Sequence, residues 1–312
     1  MNVFYSIDEA KGKFERTVCA VGNFDGVHLG HTGIFRKMKE ESEKRGAETL
    51  VITFKKHPRL SLYPSESIKM LTLEDEKINV ILSCGIDNVI IMDFSKETSQ
   101  MSPGYFINNI LIPSFNVVAI IAGYDHALGK NREGNIDHIK NITHGKLDVI
   151  EVQPYSIEGH PVSSSKIRSF INDGEMESAS KFLGRYYSMS GKIIKGFGRG
   201  HQIGFPTANI SVNESKVIPL DGVYAVYAHH NEHNGKTYKG VLNIGSNPTF
   251  ENQNRTIELH LLKFSKDIYD EVISVYFVSR IRGEIKFSSV DALITQINDD
   301  IIKAGELLSE DN

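Results

Sequence analysis

GNFDGVHLGH, residues 22–31, joins an uncharged, β-favouring run, Thr17–Val21, to a segment that is predicted to be helical over about Thr32–Arg45 and to end at Gly46. The first turn of a helix has unpaired backbone N–H groups and the positive end of the helix dipole, and both attract phosphate. The strand, the turn and the helix therefore predict a nucleotide site at this loop.

Glycines and histidines supply the chemistry of this loop. Gly22, Gly26 and Gly30 allow the backbone and a ligand to approach closely, which a Cβ would obstruct. His28 and His31 can donate hydrogen bonds to phosphoryl oxygens whose charge grows in a transition state. A solvated glycine-rich loop is the alternative, but the strand–turn–helix context favours a phosphate site. The other residues of the loop predicted to take part in this phosphate site are Asn23, Phe24 and Asp25.

Composition bounds the size and the surroundings of the protein. The chain has 312 residues, 40% of them hydrophobic and 24% charged, which is typical of a globular protein with two ordinary domains. A net charge of −4, with Lys and Arg spread along the chain, argues against a nucleic-acid partner. The N-terminus lacks the apolar core of a signal peptide, and the apolar run Val117–Ala122 is too short to cross a membrane. Cys19 and Cys84 have neither disulfide nor zinc spacing, so we expect a cytoplasmic protein.

The order of the segments predicts two domains of different fold class. Over residues 1–184 short apolar strands alternate with helices, which indicates a Rossmann-like α/β domain with a parallel sheet. After Gly184 strands follow one another, so residues 185–312 are predicted to form a small antiparallel β-barrel of five or six strands with a terminal helix. The predicted strands are Thr17–Val21, Thr49–Phe54, Asn88–Met92, Val117–Ala122 and Asp148–Val152, then Tyr187–Lys195, Val223–His230, Thr237–Ile244, Thr256–Leu262 and Val272–Ile281.

Two helix starts follow from capping chemistry, and a third helix, at the C-terminus, follows from its amphipathic pattern. Thr72, with Asp75 three residues later, approximates a capping box and predicts a helix that ends at Gly85. Ser102 followed by proline predicts a second helix. The terminal helix is predicted over about Ser289–Ala304.

Two further segments can complete the first site. In SSSKIR, residues 163–168, the hydroxyls of Ser164 and Ser165 lie at a predicted helix start, and Arg168 can bind phosphate in a bidentate manner. A capped surface helix is the alternative for this segment alone. In AGYDHALGKNREG, residues 122–134, polar and charged side chains follow a buried strand, and a solvated loop is the alternative.

The second half has a glycine-rich loop of its own, GFGRGHQIGFPTAN, residues 196–209. Thr207 and Asn209 alternate with Ala208, so their oxygen atoms can point the same way from an extended backbone. Such oxygen ligands beside a phosphate suit Mg²⁺. A hairpin tip is the alternative, but it does not explain the Phe-Pro-Thr-Ala-Asn run. The residues predicted to form a flap over phosphate are Gly196, Gly198, Arg199 and Gly200.

Taken in order, these motifs resemble one enzyme family. The histidine loop resembles the HxGH signature of adenylyl- and cytidylyltransferases. Together with SPGYFI at 102–107, GYD at 123–125 and SSSKIR, it resembles the N-terminal half of bacterial bifunctional riboflavin kinase/FAD synthetases. The PTAN run, with GVYA at 222–225 and GVLNIGSNPTF at 240–250, resembles the riboflavin kinase half of that family.

The resemblance implies two reactions and a set of site residues. Riboflavin and ATP would give FMN in the barrel, and FMN and a second ATP would give FAD and pyrophosphate in the α/β domain. Mg²⁺ would bridge the phosphates. By resemblance, His28 and His31 bind the ATP phosphates, and Glu258 is the general base of the kinase reaction. The resemblance also places Ser164, Ser165 and Arg168 on the triphosphate, and Asp125, beside Tyr124, near adenosine or flavin.

Two loops depart from the family pattern and keep other functions open. The chain has Asp125-His126-Ala127-Leu128-Gly129 where the family has DFxFG, and it has Lys55-Lys56 before His57-Pro58. A monofunctional riboflavin kinase with an impaired adenylyltransferase domain is therefore one alternative. A flavin-binding regulator is another, and a cytidylyltransferase would explain the first loop but not the PTAN run.

Overall fold

A computed structural model describes residues 1–55, 68–124, 134–195, 203–230, 236–246 and 255–308. The chain divides into two compact units, residues 1–164 and 165–312. The functional boundary between residues 184 and 185 stays a prediction, because a compact unit and an active domain need not end at the same residue.

The first unit contains a six-stranded sheet in which every pairing is parallel. Its strands are β1 (Asn2–Phe4), β2 (Thr17–Val21), β3 (Glu48–Phe54), β4 (Asn88–Met92), β5 (Val117–Gly123) and β6 (Asp148–Val152), in the order β1-β4-β3-β2-β5-β6. This confirms the predicted parallel α/β domain and adds β1, which the sequence analysis did not predict. A short antiparallel pair follows, β7 (Ser156–Ile157) and β8 (His160–Pro161).

Helical segments cover both faces of this sheet. They are α1 (Ile7–Ala10), α2 (Leu29–Arg45), α3 (Glu74–Ser83), α4 (Lys96–Gln100), α5 (Pro103–Tyr105), a π-helix (Phe106–Leu111), α6 (Ile112–Phe115) and α7 (Ile136–Thr143). Alternate strand residues point to opposite faces. Val51 packs in the cluster that includes Phe35 of α2 and Ile81 of α3, whereas Ile52 packs in the cluster that includes Phe115 of α6.

Two predicted helix starts are wrong, and both errors concern residues of the site. Helix α2 begins at Leu29, three residues before the predicted start, so His31 lies within its first turn. Its predicted end is confirmed, because Gly46 adopts the left-handed conformation with φ 56°. Thr72 does not cap α3: the N-cap is Leu73, whose N–H donates to Glu76 at 2.9 Å.

The second unit is a closed antiparallel barrel with flanking helices. Its elements are α8 (Ser164–Asn172, beginning at the last residue of the first unit), α9 (Met176–Leu183), β9 (Tyr187–Ile194), β10 (Ala208–Val212), β11 (Gly222–His230), β12 (Thr237–Ser246), β13 (Arg255–Leu261), β14 (Val272–Arg282) and α10 (Val290–Leu307). The six strands close in the order β10-β13-β12-β11-β14-β9, which confirms the predicted barrel and terminal helix.

Alternation along the strands separates an apolar interior from a polar outer face. Tyr224, Leu242 and Leu259 are buried, and the ring of Tyr224 makes an edge-to-face contact with Phe277 at 5.3 Å. Helix α10 covers part of the outer face through Ala304. Among the described residues, no helix is both long enough and apolar enough to cross a bilayer.

Candidate nucleotide and kinase sites

The first candidate site lies where the order of the parallel sheet reverses direction. Strand β2 pairs with β3 on one side and with β5 on the other, and ligands bind outside such switch points at the carboxyl ends of the strands. A cleft of about 110 Å³ occupies this position. Its lining comes from the ends of β2 and β5 and the start of α2, and consists of Val21, Gly22, Asn23, Phe24, His31, Ile34, Ile121, Ala122 and Gly123.

The two histidines of the loop lie against each other at the start of α2. His28 is the N-cap residue, and its N–H donates to Nδ1 of His31 at 3.3 Å. The two rings are stacked, with centroids 3.6 Å apart. Because His31 accepts at Nδ1, its ring proton lies on Nε2. A Cβ on Gly30 would come within 3.1 Å of the His28 ring, which explains the glycine at that position.

A buried polar frame fixes the loop between β2 and α2. The carboxylate of Asp25 is 2% exposed and accepts the N–H groups of Leu71 and Thr72 at 2.9 and 3.1 Å. The Thr72 hydroxyl in turn accepts the N–H of Gly26 at 3.0 Å. Gly26 has a φ of +81°, a left-handed conformation that glycine adopts readily. The hydroxyl of Ser164 donates to the carbonyl oxygen of Asp25 at 2.9 Å. The geometry thus gives Asp25 a role inside the loop rather than on its surface.

Lys77 belongs to this frame, and the sequence analysis missed it. Its side chain is buried in α3, and burial lowers the pKa of its ammonium to about 8 despite the nearby charges of Asp25 and Glu74. No local pattern marked it, since a lysine within a helix is ordinarily exposed to solvent.

The remaining residues predicted for the first site stand as follows. Ser165 and Arg168 lie in the first two turns of α8, as the motif SSSKIR predicted. Tyr124 follows the last residue of β5 and is 50% exposed. Asp125 and the departing residues 126–129 lie outside the described residues, as do residues 56–58.

The second candidate site is on the outer face of the barrel around Glu258. In the strand register Glu258 of β13 is opposite Asn209 of β10 on one side and Asn243 of β12 on the other. The hydroxyl of Thr207 donates to Oε2 of Glu258 at 3.4 Å. The structure therefore brings together the predicted Glu258, Thr207 and Asn209. The sequence analysis missed Asn243, although it lies within the quoted motif GVLNIGSNPTF.

Two further contacts shape this face of the barrel. Nδ1 of His260 lies 2.9 Å from the carbonyl oxygen of Pro206, and this contact joins β13 to the PTAN run. Gly245 allows the close approach of the Glu284 carboxylate, with which a Cβ would collide. The predicted flap residues Gly196, Gly198, Arg199 and Gly200 lie outside the described residues.

A larger groove of about 370 Å³ lies between the end of β14 and α10. Arg282 and Asp300 form an ion pair there, with Nη2 and Oδ2 2.7 Å apart. No predicted site residue lines this groove, so its size alone does not make it the reaction site.

The first unit thus has the fold and the loop of a nucleotide-binding α/β domain, and the second is a six-stranded barrel with a carboxylate framed by amide and hydroxyl groups. Comparison with known families agrees with this division. The FAD synthetase family profile matches residues 10–166, and the riboflavin kinase family profile matches residues 183–308.

Whole-chain relatives give the same result. A Listeria monocytogenes protein named bifunctional riboflavin kinase/FMN adenylyltransferase is 37% identical over 91% of this chain and 90% of its own length. A Bacillus subtilis protein with that name is 36% identical over 91% and 90%. A solved Streptococcus pneumoniae structure, described as a macrolide-efflux protein, superposes with a TM-score of 0.87 at 30% identity and covers 96% of this chain and 97% of its own. The chain belongs to the bifunctional riboflavin kinase/FMN adenylyltransferase family, which confirms the resemblance seen in the motifs.

Proposed function

We propose that the chain makes FAD from riboflavin in two ATP-dependent steps, each at its own site. The barrel transfers the γ-phosphoryl group of ATP to riboflavin and yields FMN and ADP. The α/β domain joins FMN to the AMP part of a second ATP and releases pyrophosphate. The observation that carries this assignment is the presence of both family matches on two different folds, each with its own candidate site.

In the first site the reaction needs positioning and charge stabilisation more than a covalent intermediate. A phosphate oxygen of FMN attacks the α-phosphorus of ATP, a new P–O bond forms, and the bond to pyrophosphate breaks. We assign the Nε2–H of His31 as donor to a phosphoryl oxygen whose negative charge grows in this step, with His28 fixing its tautomer. From the family resemblance we assign Ser164, Ser165 and Arg168 to the triphosphate, and Tyr124 and Asp125 to the flavin or adenosine.

In the second site Glu258 takes the proton from the 5′-hydroxyl of riboflavin as that oxygen attacks the γ-phosphorus. From their sequence we assign the glycine-rich residues Gly196, Gly198, Arg199 and Gly200 to the phosphates of ATP. Thr207 and Asn209 would hold Mg²⁺, because a hydroxyl and an amide oxygen beside a carboxylate are donors that fit this ion. A bound Mg²⁺ would supply positive charge against the transferred phosphoryl group. We place both reactions in the cytoplasm.

The test is to incubate the purified protein with MgATP and either riboflavin or FMN, and to separate the flavins by chromatography. FAD from both substrates supports the bifunctional assignment. FMN that accumulates without FAD supports the monofunctional kinase. The sequence reason for this alternative is that residues 125–129 differ from the family motif DFxFG. Flavin binding without turnover of either substrate would instead support a flavin-binding regulator.

A further inference from the structure

A buried lysine lies beneath the nucleotide cleft and has no part in the reaction as described above. Lys77 is 1% exposed, and its Nζ donates to the carbonyl oxygen of Phe54 at 2.7 Å and to that of Asn23 at 3.3 Å. Phe54 is the last residue of β3, and Asn23 lies two residues beyond the end of β2. One ammonium group therefore joins the ends of two neighbouring strands at the edge where the cleft opens.

The contact fixes a residue that lines the cleft. The carbonyl oxygen of Asn23 also accepts the hydroxyl of Thr53 at 3.1 Å, so both of its lone pairs are used. The side chain of Asn23 lines the cleft, and within the described part of the chain its buried Oδ1 has no hydrogen-bond partner. Lys77 and Thr53 thus fix the backbone of Asn23, and the side chain of Asn23 is left to line the cleft.

We propose that Lys77 is a positioning residue for adenylyl transfer, which holds Asn23 and the loop that follows it in the geometry that FMN and ATP require. This inference rests on the proposed FMN adenylyltransferase function of the first unit. An uncharged methionine would fill a similar volume without the desolvation penalty that a buried ammonium incurs. We therefore attribute the buried ammonium of Lys77 to the two carbonyl oxygens that it binds. Its positive charge behind the loop would also attract a phosphate bound there.

The test uses the full-length chain with Lys77→Met and Lys77→Arg, and with Lys140→Met as a control that removes an exposed lysine of the same unit. Both reactions are measured on each preparation. We expect Lys77→Met to lower kcat for FAD formation about 10- to 100-fold, because small displacements of positioning groups have effects of this size. FMN formation from riboflavin stays within about twofold of the wild type in all variants, and Lys77→Arg recovers part of the lost FAD formation.

Rescue by the conservative variant separates positioning from a merely structural role. Burial lowers the pKa of Lys77 to about 8 against the charges of Asp25 and Glu74, but a neutral amine keeps two N–H groups, which suffice for the carbonyl oxygens of Phe54 and Asn23. Deprotonation therefore preserves both contacts, whereas Lys77→Met removes them. Arginine supplies N–H groups for both oxygens, so we expect Lys77→Arg to form FAD faster than Lys77→Met even where urea titration gives the two variants the same stability.

Equal kcat for FAD formation in Lys77→Met and Lys140→Met would overturn the proposal. Should Lys77→Met fold poorly by circular dichroism, Lys77→Arg decides, and a folded Lys77→Arg that forms no FAD would refute the proposal. A wild-type protein that forms FMN but no FAD would instead show that the proposed function of the first unit is wrong.

Discussion

The two candidate sites are held in place in different ways. In the first unit the loop is fixed from beneath by buried polar groups, since Asp25 and His28 are 2% and 6% exposed. On the barrel, Glu258 and Asn209 are half-buried on the outer face and are placed by strand register. A loop needs such a frame because its backbone lacks the regular hydrogen bonds of a β-sheet. A strand, in contrast, is fixed by its hydrogen bonds to the neighbouring strands, and these set the positions of its side chains. Substitutions in the buried frame of the first site should therefore disturb position, whereas substitution of Glu258 should remove chemistry alone.

The largest expected effect is at Glu258. Glu258→Gln keeps the shape of the side chain but removes the base, so FMN formation should fall by about 10²- to 10⁴-fold. Conversion of supplied FMN to FAD should be unchanged, and it serves as the internal control in the same chromatographic assay. Loss of both reactions in a folded protein would contradict the assignment of two separate sites.

Substitution of His31 should affect FAD formation and leave FMN formation intact, the reverse of the result expected for Glu258→Gln. His31→Ala removes a donor to the phosphoryl group, and FAD formation should fall by about 10²- to 10³-fold while FMN formation continues. The exposed His160 of the same unit is the matched control, and His160→Ala should leave both initial rates unchanged. A kinase defect in His31→Ala would show that the two sites are not independent.

Substitution of Asp25 tests whether the buried polar groups stabilise the loop between β2 and α2. Asp25→Ala leaves the N–H groups of Leu71 and Thr72 without their acceptor, which should lower the free energy of unfolding by about 1–3 kcal/mol. Urea titration of this variant beside Asp93→Ala, which removes an exposed carboxylate, measures the difference. FAD formation should fall and FMN formation should not. Unchanged stability would mean that the loop does not depend on this contact.

The smallest expected effect lies away from both sites, at Glu41. Hydrogen bonds from Lys44, Lys37 and Arg45 lower the pKa of its carboxyl group from 4.5 to about 2. Their stabilising contribution is therefore present above pH 4.5 and is lost as the pH falls through about 2. Glu41→Gln should lower stability at pH 7 by less than about 1 kcal/mol, and its difference from the wild type in urea should shrink in acid. A change in either reaction rate would contradict a purely structural role.

Local sequence patterns predicted the central strands well. The bounds of β2, β4 and β6 coincide with the predicted ones, because each is a short β-favouring run ended by polar or turn residues. Strand β1 was missed because it has only three residues and forms through its parallel pairing with β4, more than 80 residues away. The start of α3 was misplaced because Thr72 uses its hydroxyl for Gly26, a partner that capping rules do not reveal.

At the sites, motifs identified the residues of the loops but not their neighbours in space. The spacing of His28 and His31 could be read directly, whereas the stacking of their rings required the helix to start at Leu29. Asn243 becomes a neighbour of Glu258 only through the pairing of β12 with β13. Lys77 of α3 reaches the carbonyl oxygen of Asn23 in the loop after β2, more than 50 residues earlier in the chain, so no local pattern could have linked them.

The closed barrel also has a consequence for synthesis on the ribosome. Strand β9 pairs with β10 on one edge and with β14 on the other. About 80 residues separate the end of β9 from the start of β14. At ~5–20 residues per second, β14 is synthesised ~4–16 s after β9, and until then the edge of β9 that pairs with β14 is open. All six strands of the parallel sheet precede β9 in the chain. We therefore expect a ribosome-bound chain to have a folded α/β unit while β9 still offers an unpaired edge, the stage at which a chaperone would bind.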